Sequence, residues 1–248
     1  MVVKTPNVPT IEWDELLGKL TPRSDGTGWQ QGQHIALIGP TGSGKTTCAL
    51  SLLPLRKYII VFGTKPYDTT LDEFGQRNHF VTLPAWERRD PEKFPRRIIW
   101  PRNKDLVNMV KLQQKVFTEA MNEIYSAGRW CVYLDELYWA SKMLGLDLHI
   151  KTYLTQARSL DISLVTSVQR PAWVPLEVYS QSTHFFIWRA NDRRDLNRLA
   201  EISAGYSGEI EALQNIVSTL PQYQFLYLNT RENLIYKCTA PPPKGGKK

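Results

Sequence analysis

The chain has 248 residues, 42% of them hydrophobic, with a formal net charge of +7, enough to bury one full α/β core, with two small domains as the alternative. No run of eighteen apolar residues occurs, and the opening stretch MVVKTPNVPTIEWDELLGKL has neither a long apolar segment nor a small-residue cleavage site; no membrane span or secretory leader is expected, and a cytoplasmic protein is. Cys48, Cys131 and Cys238 are odd in number and far apart, the pattern of reduced packing residues and not of a disulfide frame or a zinc site.

In chain order, a proline-marked start gives way to short apolar runs that read as strands at residues 34–38, 58–62, 97–100, 130–134, 162–168 and 184–188. They are β-branched or aromatic, and helical patterns lie between several of them. The clearest has Leu106, Met109, Val110, Val116, Phe117, Ala120, Met121 and Ile124 on one face and stops near Gly128. Such alternation predicts a mainly parallel sheet covered by helices. The chain therefore divides into an N-terminal extension over 1–31, one α/β domain over 32–238 and a disordered basic tail over 239–248. Lys244, Lys247 and Lys248 of that tail supply three of the net positive charges, and the basic balance as a whole suits a polyanion such as nucleic acid.

The first strand runs into Gly39-Pro40-Thr41-Gly42-Ser43-Gly44-Lys45-Thr46, followed by a helix-compatible KTTCALSLL. This satisfies G-x-x-x-x-G-K-[ST] in its required strand-to-helix context. Glycines let the backbone turn its N–H groups inward around phosphates, and the helix start adds its positive dipole end. Lys45 is expected to reach the β- and γ-phosphates of ATP, Thr46 to hold Mg²⁺ and Thr47 to touch the α-phosphate. Further on, WCVYLDELYW ends an apolar strand in Asp135 and Glu136. Adjacent carboxylates at a strand end point in different directions, so Asp135 suits the Mg²⁺ water shell and Glu136 suits orienting and deprotonating the attacking water. The strand ISLVTSVQRP then presents Thr166, Ser167 and Gln169 before Pro171 ends its pairing. A polar amide at Gln169 is placed to bond both the γ-phosphate and the water.

The order GPTGSGKT, LDE, TQARSLDISL, TSVQRP resembles the FtsK-HerA superfamily of DNA-pumping P-loop ATPases, and VPLEVYSQSTHFFIWRANDRRDLNRLAEIS with LPQYQFLYLNTRENLIYKC is similar to the C-terminal part of compact viral genome-packaging ATPases. The resemblance covers residues 32–238. It implies a RecA-like (ASCE) α/β fold with a C-terminal β-hairpin, ATP and Mg²⁺ as cofactors, and ATP-driven translocation of double-stranded DNA, most simply into a viral capsid through a vertex or portal component. It also implies a hexameric or pentameric ring in the host cytoplasm or on the virion. Arg158, just before the sensor strand, matches the superfamily's arginine finger acting on a neighbour's γ-phosphate; the alternative is a helix C-terminal arginine facing the dipole. Val168 departs from the usual alanine-threonine order before the glutamine, and no winged helix follows, so the chain looks like a stripped motor that depends on other proteins for docking.

Two segments are candidates for DNA. Trp86 to Lys104 has seven basic residues against three acidic, with two tryptophans interleaved; its alternative reading is a solvated insertion. The other is LYWASKMLGLDLHIK, after Glu136, with Lys142 and Lys151 as phosphate contacts. Arg170, Arg189, Arg193, Arg194 and Arg198 are interface candidates or a solvated helix face. Three other functions stay open: a cellular or plasmid translocase or helicase of the same superfamily, a small-molecule P-loop kinase, and a non-enzymatic nucleotide-dependent assembly factor. Glu136 after Asp135, with no evident acceptor lid, speaks against the kinase.

Overall fold

A computed structural model of the chain describes residues 8–199, 202 and 210–242. All six apolar runs form strands: β1 (Ile35–Ile38), β2 (Ile59–Phe62), β4 (Arg96–Ile99), β5 (Cys131–Leu134), β6 (Ser163–Val168) and β7 (His184–Trp188). A three-residue β3 (Val81–Leu83) and the hairpin β8 (Gln224–Asn229) and β9 (Leu234–Thr239) complete one sheet ordered β3-β4-β2-β5-β6-β1-β7-β8-β9. Pairing is parallel from β3 to β7 and antiparallel through β8 and β9. Strands β1, β2, β5, β6 and β7 are buried along their whole length, as a sheet covered on both faces requires.

The helices are α1 (Trp13–Leu20), α2 (Lys45–Leu52), α3 (Thr69–Arg77), α4 (Leu106–Ala127), α5 (Asp147–Gln156), α6 (Glu177–Gln181), α7 (Arg193–Leu199) and α8 (Ile210–Thr219). α4 follows the sequence pattern closely. Asp105 caps its start by accepting from the Asn108 N–H at 2.8 Å, and it ends on Gly128, which sits at φ 67°. Its buried residues Val116, Phe117, Ala120, Met121 and Ile124 fill one side of the sheet. The other side holds α2, the three free cysteines and α1.

Two domain boundaries differ from expectation. Residues 8–31 are no separate extension: Leu16, Leu20 and Trp29 are buried in the core, and Thr10 bridges to Lys237 of β9. A basic, proline-rich end reads as tail when only composition is visible, but Thr239 closes β9 and Ala240 and Pro241 are buried. The folded unit therefore continues past β9 at least to Pro241. Lys244, Lys247 and Lys248 lie outside the described residues. No helix among the described residues is long and apolar enough to cross a membrane.

Candidate nucleotide-hydrolysis site

Sheet register brings the three motifs to one edge. Ile38 pairs with Val168, so Gly39 and Gln169 leave their strands side by side; Leu134 pairs with Thr166, which sets Asp135 next to Ser167. On the far side of β5, Phe62 pairs with Leu134, so the loop after β2 reaches the same edge. The glycine-rich loop crosses above it. A Cβ at Gly39 would lie 2.6 Å from Trp188 Cβ, and Gly44 sits at φ 101° as the N-cap of α2, so neither position accepts a larger residue.

Within the loop Lys45 is folded inward, its Nζ donating to the carbonyls of Gly39 at 2.6 Å and Pro40 at 2.7 Å. The Ser43 hydroxyl is buried and has no partner, an orphaned group that a phosphate oxygen would satisfy. Thr46 Oγ1 donates to Asp135 Oδ1 at 2.9 Å. A hydroxyl and a carboxylate converging in this way suit a hard cation held partly by nucleotide oxygens, and Mg²⁺ bound there would neutralise phosphate charge. Thr47 lies beside them on the wall of the same cavity.

Gln169 joins the two halves of the site. Its Nε2 donates to both carboxylate oxygens of Glu136, each at 2.6 Å, while its Oε1 accepts from the Thr41 hydroxyl at 2.9 Å. The Glu136 carboxylate is thus tied through one side chain to the glycine-rich loop. Burial lifts Glu136 above the ordinary glutamate range, and the neighbouring Asp135 charge adds to the rise. For Asp135 burial works the same way but is outweighed by Lys65 and by the hydroxyls of Tyr133 and Thr46, which hold it below its usual value. Two adjacent carboxylates with opposed shifts are suited to different roles, one as base and one as permanent anion.

No family model matches the sequence. The chain is similar to the DNA packaging ATPase P9 of Enterobacteria phage PRD1, 27% identical over 215 residues, which cover 85% of this chain and 88% of that protein. Among solved structures it superposes on the genome packaging NTPase B204 of Sulfolobus turreted icosahedral virus 2 with a TM-score of 0.57, at 17% identity, covering 83% of this chain and 95% of that one. It also superposes on VirB4 of Thermoanaerobacter pseudethanolicus with a TM-score of 0.61, at 11% identity, covering 96% and 98%. The chain has the fold of the P-loop ATPases. The mainly parallel sheet flanked by helices and the C-terminal β8–β9 hairpin are as expected from the sequence, and β6 lies between the phosphate-loop strand β1 and the carboxylate strand β5.

The P-loop site contains one cation that the sequence reading missed. Lys65, in the loop after β2, donates to Asp135 Oδ2 at 2.8 Å and reaches Asp68 at 3.3 Å. Burial opposes its charge, but Asp135 overrides this and holds the ammonium above the ordinary lysine value. The only sequence signal was a lysine closing the run YIIVFGTK. Tyr133 was also missed; its hydroxyl donates to Asp135 at 2.5 Å from within the strand.

Arg158 lies elsewhere. It is exposed on the short turn Ala157–Leu160 ahead of β6, at the opposite end of the strand from Gln169. No hydrogen bond or ion pair to its guanidinium occurs among the described residues. It therefore cannot serve the P-loop of its own chain. Lys142 and Lys151 stand on either side of Asp147, at 3.5 and 2.9 Å, so one carboxylate already offsets part of their charge. Much of the basic segment from Trp86 to Lys104 is structural. Arg97 is 1% exposed and packs over Trp86 and Trp130, Arg88 forks onto Glu123, and Arg102 stacks on Trp100. Arg170 is held by Asp192 and Asp195.

Lys45 supplies a pH test of phosphate binding. Burial pushes its pKa down to about 8, although Asp135 and Glu136 pull it up. A bound triphosphate favours the ammonium and raises that value, so binding takes up a proton once the free lysine is neutral. Affinity is then full below pH 8 and falls above it, by up to about tenfold in Kd per pH unit. Titration of an ATP analogue from pH 7 to 10 measures this; a flat Kd in the wild-type chain would contradict it.

Proposed function

We propose that this chain hydrolyses ATP with Mg²⁺ and uses the energy to move double-stranded DNA, most simply into a viral capsid. The observation that carries the hydrolytic part is the Glu136–Gln169–Thr41 chain, which links a water-activating carboxylate to the phosphate loop. A kinase has no use for such a base aimed at water. In this reading Lys45 binds the β- and γ-phosphates, the backbone and hydroxyls from Gly39 to Thr47 cradle them, Thr46 and Asp135 hold Mg²⁺, and Gln169 senses the γ-phosphate.

The DNA part is supported by the net charge of +7 and by similarity to a protein named for DNA packaging. Structures of B204 in complex with AMPPCP and with ATP-gammaS support nucleotide binding by the shared fold. Arg158, remote from its own site, acts on the nucleotide of the next subunit, so the working form is a ring of five or six chains. Lys142 and Lys151 are the proposed phosphate contacts in its pore. The ring works in the cytoplasm, or on the virion at a capsid vertex or portal.

ATP turnover measured alone and with double-stranded DNA, single-stranded DNA or RNA tests this. Stimulation by double-stranded DNA above the other two, weakening with added salt, is the expected result. Equal rates in all four conditions would remove the translocase reading, and no turnover in any would favour a nucleotide-dependent assembly factor.

A further inference from the structure

The cavity beside the phosphate loop, about 630 Å³, is larger than a triphosphate group needs. Its polar end is the hydrolytic site. Its other end is walled by Tyr223, in the turn before β8, and by Thr239 to Pro242, the segment leaving β9. The two walls meet at Gly44: a Cβ there would lie 3.1 Å from Ala240 Cβ and 3.9 Å from Tyr223 Cδ1. They are tied together by the Ala240 N–H, which donates to the Tyr223 carbonyl at 2.8 Å.

Two features of these walls point to an aromatic ligand. Tyr223 sits at φ 64°, in the left-handed region that disfavours a bulky side chain, and it is 49% exposed. A glycine or asparagine would suit that turn better, and the phenol ring gains only half its burial from being there. Strain kept without a packing return marks a side chain retained for contact with something else. The second feature is the chemistry of the opposite wall. The Ala240 N–H is already bonded, and Pro241 and Pro242 have none. This wall has apolar faces and carbonyls but no free N–H after Thr239.

We propose that the purine base of the bound triphosphate stacks on Tyr223 and lies against the Ala240–Pro242 wall, recognised by its ring face and not by its edge, so that ATP and GTP bind alike. The inference rests on the nucleotide-binding reading above and gives it a substrate class, purine nucleoside triphosphates. Reading adenine at N1 requires a fixed donor, and this wall has no free N–H after Thr239; its carbonyls accept from the 6-amino group of adenine or from the N1–H and 2-amino group of guanine. The side chains that line this end and carry hydrogen-bonding groups are Tyr223 and Thr239, and a hydroxyl donates or accepts as required. Stacking on an aromatic ring tolerates both purines because each offers the same two-ring π-face.

Calorimetric titration of the full chain with Mg²⁺ and ATP, GTP or inorganic tripolyphosphate tests this. ATP and GTP are expected to differ by less than about fivefold, with tripolyphosphate weaker than both. Tyr223→Asn keeps the left-handed turn but removes the ring, and should weaken ATP and GTP together by about 5- to 100-fold while tripolyphosphate is unchanged. Tyr223→Phe should bind all three as the wild type does. A preference between ATP and GTP, in either direction, of more than about fivefold, or unchanged ATP affinity in Tyr223→Asn, overturns the proposal. Loss of tripolyphosphate in Tyr223→Asn also overturns it, because the turn would then be propping the phosphate loop. Failure of the nucleotide reading itself looks different: the wild-type chain binds none of the three ligands, and the base site falls with it.

Discussion

Arg158→Ala and Lys45→Ala chains, each inactive alone, should regain ATP turnover when mixed. Arg158 is exposed at the opposite end of β6 from Gln169, so its removal leaves the phosphate loop, Thr46, Asp135 and Glu136 of its own chain in place. That mutant should fold and bind ATP. Lys45→Ala has the converse defect, with an empty pocket and an intact arginine. In a mixed ring the sound pocket of one chain meets the sound arginine of its neighbour. A guanidinium supplied in trans neutralises charge as it develops on the γ-phosphate and contributes about 10³ to 10⁵ in rate where such fingers act, so even partial assembly gives a measurable signal. If Arg158 instead serves the C-terminal end of α5, its loss costs about 0.3 to 1 kcal/mol of stability and leaves turnover nearly normal. Full activity of purified Arg158→Ala would refute the finger, and co-assembled mutants without recovery would refute its action in trans.

Glu136→Gln should bind ATP and Mg²⁺ as the wild type does and turn over about 10² to 10⁴ times more slowly, the usual contribution of a positioned general base. The substitution is nearly isosteric, and one amide oxygen remains to accept from Gln169, whose Nε2 lies 2.6 Å from both carboxylate oxygens. The hydrogen-bonded path to Thr41 is therefore kept while the proton acceptor is lost. Measuring phosphate release together with nucleotide affinity separates the two. Wild-type turnover in this variant would strip Glu136 of its role and direct the search to another carboxylate.

Phosphate loop, carboxylate strand and sensor strand were all legible in the chain because each is a local signal. Gly39 to Thr46 must be glycine-rich wherever backbone amides wrap phosphate, and an apolar run ending in Asp135-Glu136 is a buried strand whose charges can only emerge at its end. α4 was equally plain, from its apolar spacing and from Gly128 at its close. The parts that stayed hidden depend on which strands become neighbours. No local pattern states that β2 lies beside β5, so nothing in YIIVFGTK revealed that Lys65 would neutralise Asp135. Likewise the ends of the chain read as extension and tail from their prolines and lysines, yet Leu16, Leu20 and Trp29 are buried in the core and Ala240 closes on Gly44 beside Tyr223. The sequence by itself determined the fold class and the position of the glycine-rich loop and the Asp135-Glu136 strand end, because conformational need and residue type coincide there over a few consecutive positions. Only the tertiary structure decided the partner of Asp135 and the closing of Ala240 on Gly44, because those contacts join segments 70 to nearly 200 residues apart and form only once the sheet order is set.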